Sequence, residues 1–140
     1  TNAAASQVLG QPDFVSNTPN NGGIGANTLI RPNRAIVDDN GNLYIQDGNN
    51  NRVLIFLSAA AKGDFANADF VLGQVDFISN GNGIGPSVVD TDGELGPTFA
   101  FDPTRGILWL SDVDNNRVLG FQGVFPNAKP LLFQHSASGV

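Results

Sequence analysis

The chain has no cysteine, no methionine and a single histidine among 140 residues. The missing cysteine excludes disulfides, zinc–thiolate centres and thiol nucleophiles. One histidine, His135 near the end of the sequence, excludes sites built from several imidazoles. Charge is scarce as well: Asp, Glu, Lys and Arg make up 14 % of the chain, against about a quarter in ordinary globular proteins. What charge there is leans acidic, with 7 basic and 13 acidic residues and a net charge of -6, which argues against a nucleic-acid partner. No apolar run approaches the roughly 20 residues of a membrane helix, so membrane insertion is not expected. No Gly-x-Ser-x-Gly nucleophile phrase occurs, and Gly22-Gly23-Ile24-Gly25 is not followed by the Gly-Lys-Ser/Thr of a phosphate loop. The sequence opens at Thr1 rather than Met, as expected of a processed chain or a piece of a longer one.

Apolar residues (41 %) suffice for a core, and 17 glycines, 8 prolines and abundant asparagine imply many turns and few long helices. Their order is repetitive. Val8-Leu9-Gly10-Gln11 returns as Val71-Leu72-Gly73-Gln74, followed by Asp13-Phe14 and Asp76-Phe77, then Ser16-Asn17 and Ser79-Asn80. Gly23-Ile24-Gly25 returns as Gly83-Ile84-Gly85. Asp47 and Asn50-Asn51-Arg52-Val53-Leu54 return as Asp112 and Asn115-Asn116-Arg117-Val118-Leu119. A third copy begins at Leu131-Leu132-Phe133-Gln134. Repeats of this length are supersecondary units that bury their apolar faces only against neighbours.

Within one copy, Ala35–Asp38, Leu43–Gln46, Arg52–Leu57 and Phe70–Gly73 are short runs of β-forming residues separated by turns. Asn40-Gly41 supplies the positive φ angles of a tight hairpin. The second copy offers 98–101, 107–110, 117–121 and 131–133. One helical turn is expected at Ser58–Lys62, ended by Gly63. Four short antiparallel strands per repeat make a propeller blade, so the expected fold is all-β with two blades. The expected organisation is a fourth strand of a preceding blade plus a long loop (1–34), blade one (35–74), a long loop (75–97), blade two (98–134) and a tail (135–140). Loops of that length carry function or disorder.

The run Pro32, Ala35-Ile36-Val37-Asp38, Gly41-Asn42-Leu43-Tyr44-Ile45, Asp47, Asn51-Arg52-Val53 closely resembles the NHL repeat. The second copy is looser, with Trp109 in place of Tyr44 and Ile107 in place of Asn42. The Val-Leu-Gly-Gln-(Pro)-Asp-Phe phrase resembles a bacterial variant of NHL-like proteins. The resemblance implies β-propellers, usually six-bladed. Two blades cannot close a ring, which leaves a fragment of a longer propeller, a ring of several copies, or an open filament. NHL-like lyases rely on several metal-binding histidines and RNA-binding NHL propellers on a basic face. This composition lacks both.

Several residues are candidates for chemistry. Asp112-Val113-Asp114-Asn115-Asn116 has the start of a calcium loop, with Asp112, Asp114 and Asn116 at alternate positions, but Gly123 stands where the bidentate Glu belongs. The competing reading makes these residues, like Asp47-Gly48-Asn49-Asn50-Asn51, turn formers. Asp90, Asp92 and Glu94 are the densest acidic cluster, able to hold Ca²⁺ or do acid–base work; Asp13 and Asp76 lie in the long loops. Arg52 and Arg117 repeat with Asp47, Asn51, Asp112 and Asn116 and read as structural positions. Each arginine pairs with Asp47 or Asp112, or else with Asp38 or Asp102. Phe14, Phe65, Phe70, Phe77, Phe99, Phe101, Phe121, Phe125 and Trp109 read as core and inter-blade packing.

The sequence therefore points to a non-enzymatic scaffold with no required cofactor, Ca²⁺ being the one candidate ion. Its expected partners are proteins, either other copies of itself or the rest of a longer chain, in a secreted or cell-envelope setting. The alternatives are part of a calcium-dependent lactonase or lyase, and a glycan sensor using loops 12–31 and 75–97.

Overall fold

The computed structural model describes residues 2–91 and 99–122, and they form two antiparallel β-sheets with almost no helix. Sheet one holds β1 (Pro32–Val37), β2 (Leu43–Asp47), β3 (Arg52–Phe56) and β4 (Phe70–Leu72), in that order. Sheet two holds β5 (Phe99–Asp102), β6 (Ile107–Asp112) and β7 (Arg117–Gln122). The fourth strand expected at 131–133 lies outside the described residues, as do Asp92, Glu94, Gly123, Phe125 and His135. The helical turn expected at Ser58–Lys62 is a short 3-10 turn at Ala59–Ala61, beside Ser58 in the left-handed region (φ 47°), and a second 3-10 turn lies at Gly48–Asn50.

Local chemistry explains the hairpins. Asp38 organises the β1–β2 turn: its Oδ1 accepts the N–H groups of Asn40 and Asn42, and its Oδ2 accepts the Asn42 amide and the Tyr44 hydroxyl at 2.8 Å. Only Gly41 takes a positive φ (77°). Asn40 does not, so this is not the two-residue turn that Asn-Gly suggests. The Asp38 side chain does the turning instead, as Asx residues do. In sheet two, Asp102 caps the N–H groups of Thr104 and Arg105 and pairs with the Arg105 guanidinium at 3.0 Å. β1 starts at Pro32, three residues before the expected Ala35. Proline is tolerated on an edge strand, where its missing N–H breaks no ladder bond.

The two sheets pack face to face. Tyr44, Val53, Ile55 and Leu72 of sheet one meet Phe99, Leu108 and Leu110 of sheet two, with Val89 from the connecting segment sealing the layer. Tyr44 stacks on Phe101 with ring centroids 5.9 Å apart, and the Arg34 guanidinium lies 5.9 Å from the Phe99 ring. The opposite face of sheet one is buried too, where Ile45, Leu54 and Phe56 pack with Leu29, Ala59 and Ala68. Strands buried on both faces read as unbroken apolar runs, as Val53-Leu54-Ile55-Phe56 does. β6 differs: Leu108 and Leu110 are buried while Trp109 between them is exposed. Sheet two is thus covered on one face among the described residues.

Candidate functional site

The repeated residues converge on two copies of one clamp. Arg52 Nε donates to Asp47 Oδ2 at 2.7 Å, and both side chains are fully buried. Its Nη2 donates to the carbonyls of Gly25 (3.0 Å) and Thr28 (2.9 Å), and its Nη1 to that of Phe77 (2.5 Å). Asp47 Oδ1 accepts the Ile30 N–H, and Oδ2 also accepts the Asn50 amide. In sheet two, Arg117 Nε donates to Asp112 Oδ2, and Nη2 donates to the carbonyls of Gly85 (2.8 Å) and Val88 (3.1 Å). Asp112 Oδ1 accepts the Asp90 N–H at 2.7 Å and the Asn115 amide at 2.9 Å. Burial by itself would raise the Asp112 carboxyl. The Asp90 N–H, Arg117 and Asn115 outweigh it and hold the group below the ordinary carboxylate range.

Each clamp lies at the β2–β3 or β6–β7 turn and reaches back, by 24–27 residues from Arg52 and 29–32 from Arg117, to fix the long loop that precedes its own sheet. Gly25, Thr28 and Ile30 correspond in this way to Gly85, Val88 and Asp90. The long loops, expected to carry function or disorder, are latched by guanidinium-to-carbonyl bonds, which are charge-assisted and directional. Arg52 and Arg117 pair with Asp47 and Asp112, not with Asp38 or Asp102.

The calcium candidates are not gathered. Asp112 gives both oxygens to the clamp, while Asp114 and Asn116 are exposed at the turn. Asp92 lies outside the described residues. Among those described, no three acidic or histidine residues cluster as a metal site would require. Asp13 and Asp76 cap loop turns. Asp13 accepts the N–H groups of Val15 and Ser16, and Asp76 those of Ile78 and Ser79. These bonds keep both carboxyls below their ordinary values, the Val15 N–H leading for Asp13 and the Ser79 hydroxyl for Asp76. Among the described residues, the buried Gln46 side-chain amide and Asp90 Oδ1 have no hydrogen-bond partner. Of the aromatics, Phe99 and Phe101 are core as expected, whereas Phe14 and Trp109 are exposed.

A second feature was not anticipated from the sequence. Asn51, in the left-handed region (φ 51°), projects from sheet one into the loop of the second repeat. Its Oδ1 accepts the Thr91 N–H (2.9 Å), its Nδ2 donates to Asn80 O (3.2 Å), and its carbonyl accepts Gln74 Nε2 (2.8 Å). Gln74 Nε2 also donates to Gly81 O, and the Thr91 hydroxyl donates to Gly48 O. Gly73 makes room: at φ +85° a Cβ would stand 2.3 Å from Val89 and 3.0 Å from Asn51 O. Asn51 is therefore a plug, and Gly73, Gln74, Asn80 and Thr91 are its socket. The first repeat has the same socket residues, Gly10 (φ +87°), Gln11 and Asn17, with Arg31 in the place of Thr91. There they line an open cavity of about 290 Å³. Repetition of Gln11/Gln74 and Asn51/Asn116 was the available signal, but nothing in the sequence says that the asparagine of one sheet belongs to the loop of the next.

Neither a protein-family model nor a curated protein sequence matches this chain.

Proposed function

We propose that the chain is a non-enzymatic scaffold of NHL-type propeller blades whose role is to present sheet faces to other protein, either further copies of itself or more chain of the same kind. A secreted or cell-envelope setting belongs to the same proposal and rests on composition alone. The observation that carries the reading is the difference between two equivalent faces. Tyr44 and Val53, on the face of sheet one that meets sheet two, have no exposed surface. Their counterparts on the outer face of sheet two, Trp109 and Val118, are 44 % and 61 % exposed. An aromatic and a β-branched residue side by side on an open sheet face are what a further layer would cover. The charged side chains that repeat are consumed in holding backbone, which suits a scaffold better than acid–base chemistry.

Trp109 is the single tryptophan, so its emission reports this face alone. The expected result is a blue shift as protein concentration rises, reversed on dilution. Emission that stays at the wavelength of a water-exposed indole over the whole range, with no partner protein moving it, would refute the scaffold reading.

A further inference from the structure

Among the described residues, the plug and the socket each have a further copy without its counterpart. The socket around Gly10, Gln11, Asn17 and Arg31 is an open cavity. Gln11 Nε2 donates to Thr18 O, as Gln74 does to Gly81 O, but it has no second acceptor among the described residues corresponding to Asn51 O. The free plug is Asn116. It shares the left-handed backbone of Asn51 (φ 54° and 51°) and is exposed, and its amide makes one contact at 3.5 Å with Asp114 O.

We infer that a second copy of this chain docks head-to-tail, Asn116 of one copy entering the Gly10–Gln11–Asn17–Arg31 socket of the next. The inference rests on the scaffold reading and names its partner and its polarity. Three correspondences with the internal sheet–sheet contact support it. Phe101 covers Tyr44 inside the chain. Val37 corresponds to Phe101 and Trp109 to Tyr44, and both are open, Val37 being 63 % exposed. Arg52 Nη1 donates to Phe77 O, a carbonyl of the following repeat. Arg117 Nη1 has no acceptor among the described residues, and the residue matching Phe77 is Phe14, which is 54 % exposed. Charge is also complementary. Thr91 sits against the turn containing Asn49, and in the corresponding contact between copies Arg31 would face Asp114.

A contact between two different surfaces is heterologous, so it is directional.

The test uses two variants of the full chain in sedimentation velocity. One loses the plug (Asp114→Ala with Asn116→Gly). Glycine keeps the left-handed backbone, so this variant is expected to fold. The other loses the socket charge (Arg31→Glu). Wild type should sediment as an assembly and each variant alone as a monomer. An equimolar mixture should form a one-to-one dimer and nothing larger, because only the plug of the socket variant and the socket of the plug variant remain. Far-UV circular dichroism matching wild type establishes that the variants are folded. A monomeric wild type would overturn the inference, as would variants that still assemble alone or a mixture that does not pair. If the variants still assemble with Trp109 blue-shifted, the head-to-tail contact falls and the scaffold reading stands.

Discussion

Replacing Arg52 by methionine should destabilise the chain far more than the same change at Arg117, although the two clamps are chemically alike. Methionine keeps the length and apolar stem of arginine, so packing is largely conserved and the loss is polar. At position 52 the change strands the Asp47 carboxylate in a fully buried site. Breaking a buried pair from one side costs about 3–5 kcal/mol. The carbonyls of Gly25, Thr28 and Phe77 also lose their donor, at about 1 kcal/mol or more each where water cannot enter. These terms overlap, because the Asn50 amide and the Ile30 N–H remain on Asp47, so a total of about 4–5 kcal/mol is expected. At position 117 the Asp112 carboxylate is as buried as Asp47, but the arginine side chain is 27 % exposed and two carbonyls rather than three are released. Water can reach the vacated site, and about 2 kcal/mol is expected. Urea unfolding followed by far-UV circular dichroism gives both numbers. A double variant, Asp47→Asn with Arg52→Met, should recover part of the loss, since no buried charge is left unpaired. Equal costs at the two positions, or a double variant that loses the full sum, would refute the argument that burial and the stranded carboxylate set the magnitude.

Acid should destabilise the fold in a defined window. Asp38 and Asp112 are both held below ordinary carboxyl values despite burial, Asp38 by bonds from the Asn42 N–H and amide, Tyr44 and Asn40. Their contribution is complete above the unfolded carboxyl value of about 3.9 and is lost as pH falls through the lower folded values; pH-dependent urea midpoints should decline there, less steeply for Asp38→Asn. Gly73→Ala should cost about 2 kcal/mol or more and Gly41→Ala about 1 kcal/mol. Both have positive φ, but only at Gly73 would the new Cβ collide, with Val89 and Asn51 O; similar losses in thermal midpoint would speak against the close approach. Gln46→Leu should leave stability unchanged or raise it by about 1 kcal/mol, because it removes two buried polar atoms that have no partner; a clear loss in chemical denaturation would mean that the amide is bonded in solution.

Strands were legible because β-branched and aromatic runs bounded by Asn, Gly and Asp identify them without tertiary information. Each expected strand between 35 and 121 appears within a few residues of its reading. Asp47, Arg52, Asp112 and Arg117 were legible as repeats, but Asp38 and Asp102 stood as alternative partners until the register across each turn set Asp47 opposite Arg52 and Asp112 opposite Arg117. The role of the long loops was not. Arg52 and Arg117 hold Gly25, Thr28, Gly85 and Val88 through backbone carbonyls, and a carbonyl leaves no trace in residue type. Tyr44 and Trp109 occupy the same place in the phrase yet differ completely in burial. That depends on whether another sheet lies over them, a fact held by the neighbour's sequence and not their own.

The unequal burial of the two arginines follows from the same cause. Arg52 makes every contact that Arg117 makes, to an aspartate and to two carbonyls of its own loop, and adds the bond to Phe77 O. Phe77 lies in the loop that leads to sheet two, as do the Asn80 and Thr91 that hold Asn51, with Gln74 immediately before it. A clamp is therefore complete only when the next repeat lies against it, and a buried guanidinium tolerates no vacant donor. Arg117, which lacks the counterpart of the Phe77 bond among the described residues, is left 27 % open to water. If a second copy supplies it, Arg117 becomes as buried as Arg52, and the gap between the two methionine substitutions should close in the assembled protein while persisting in the plug and socket variants.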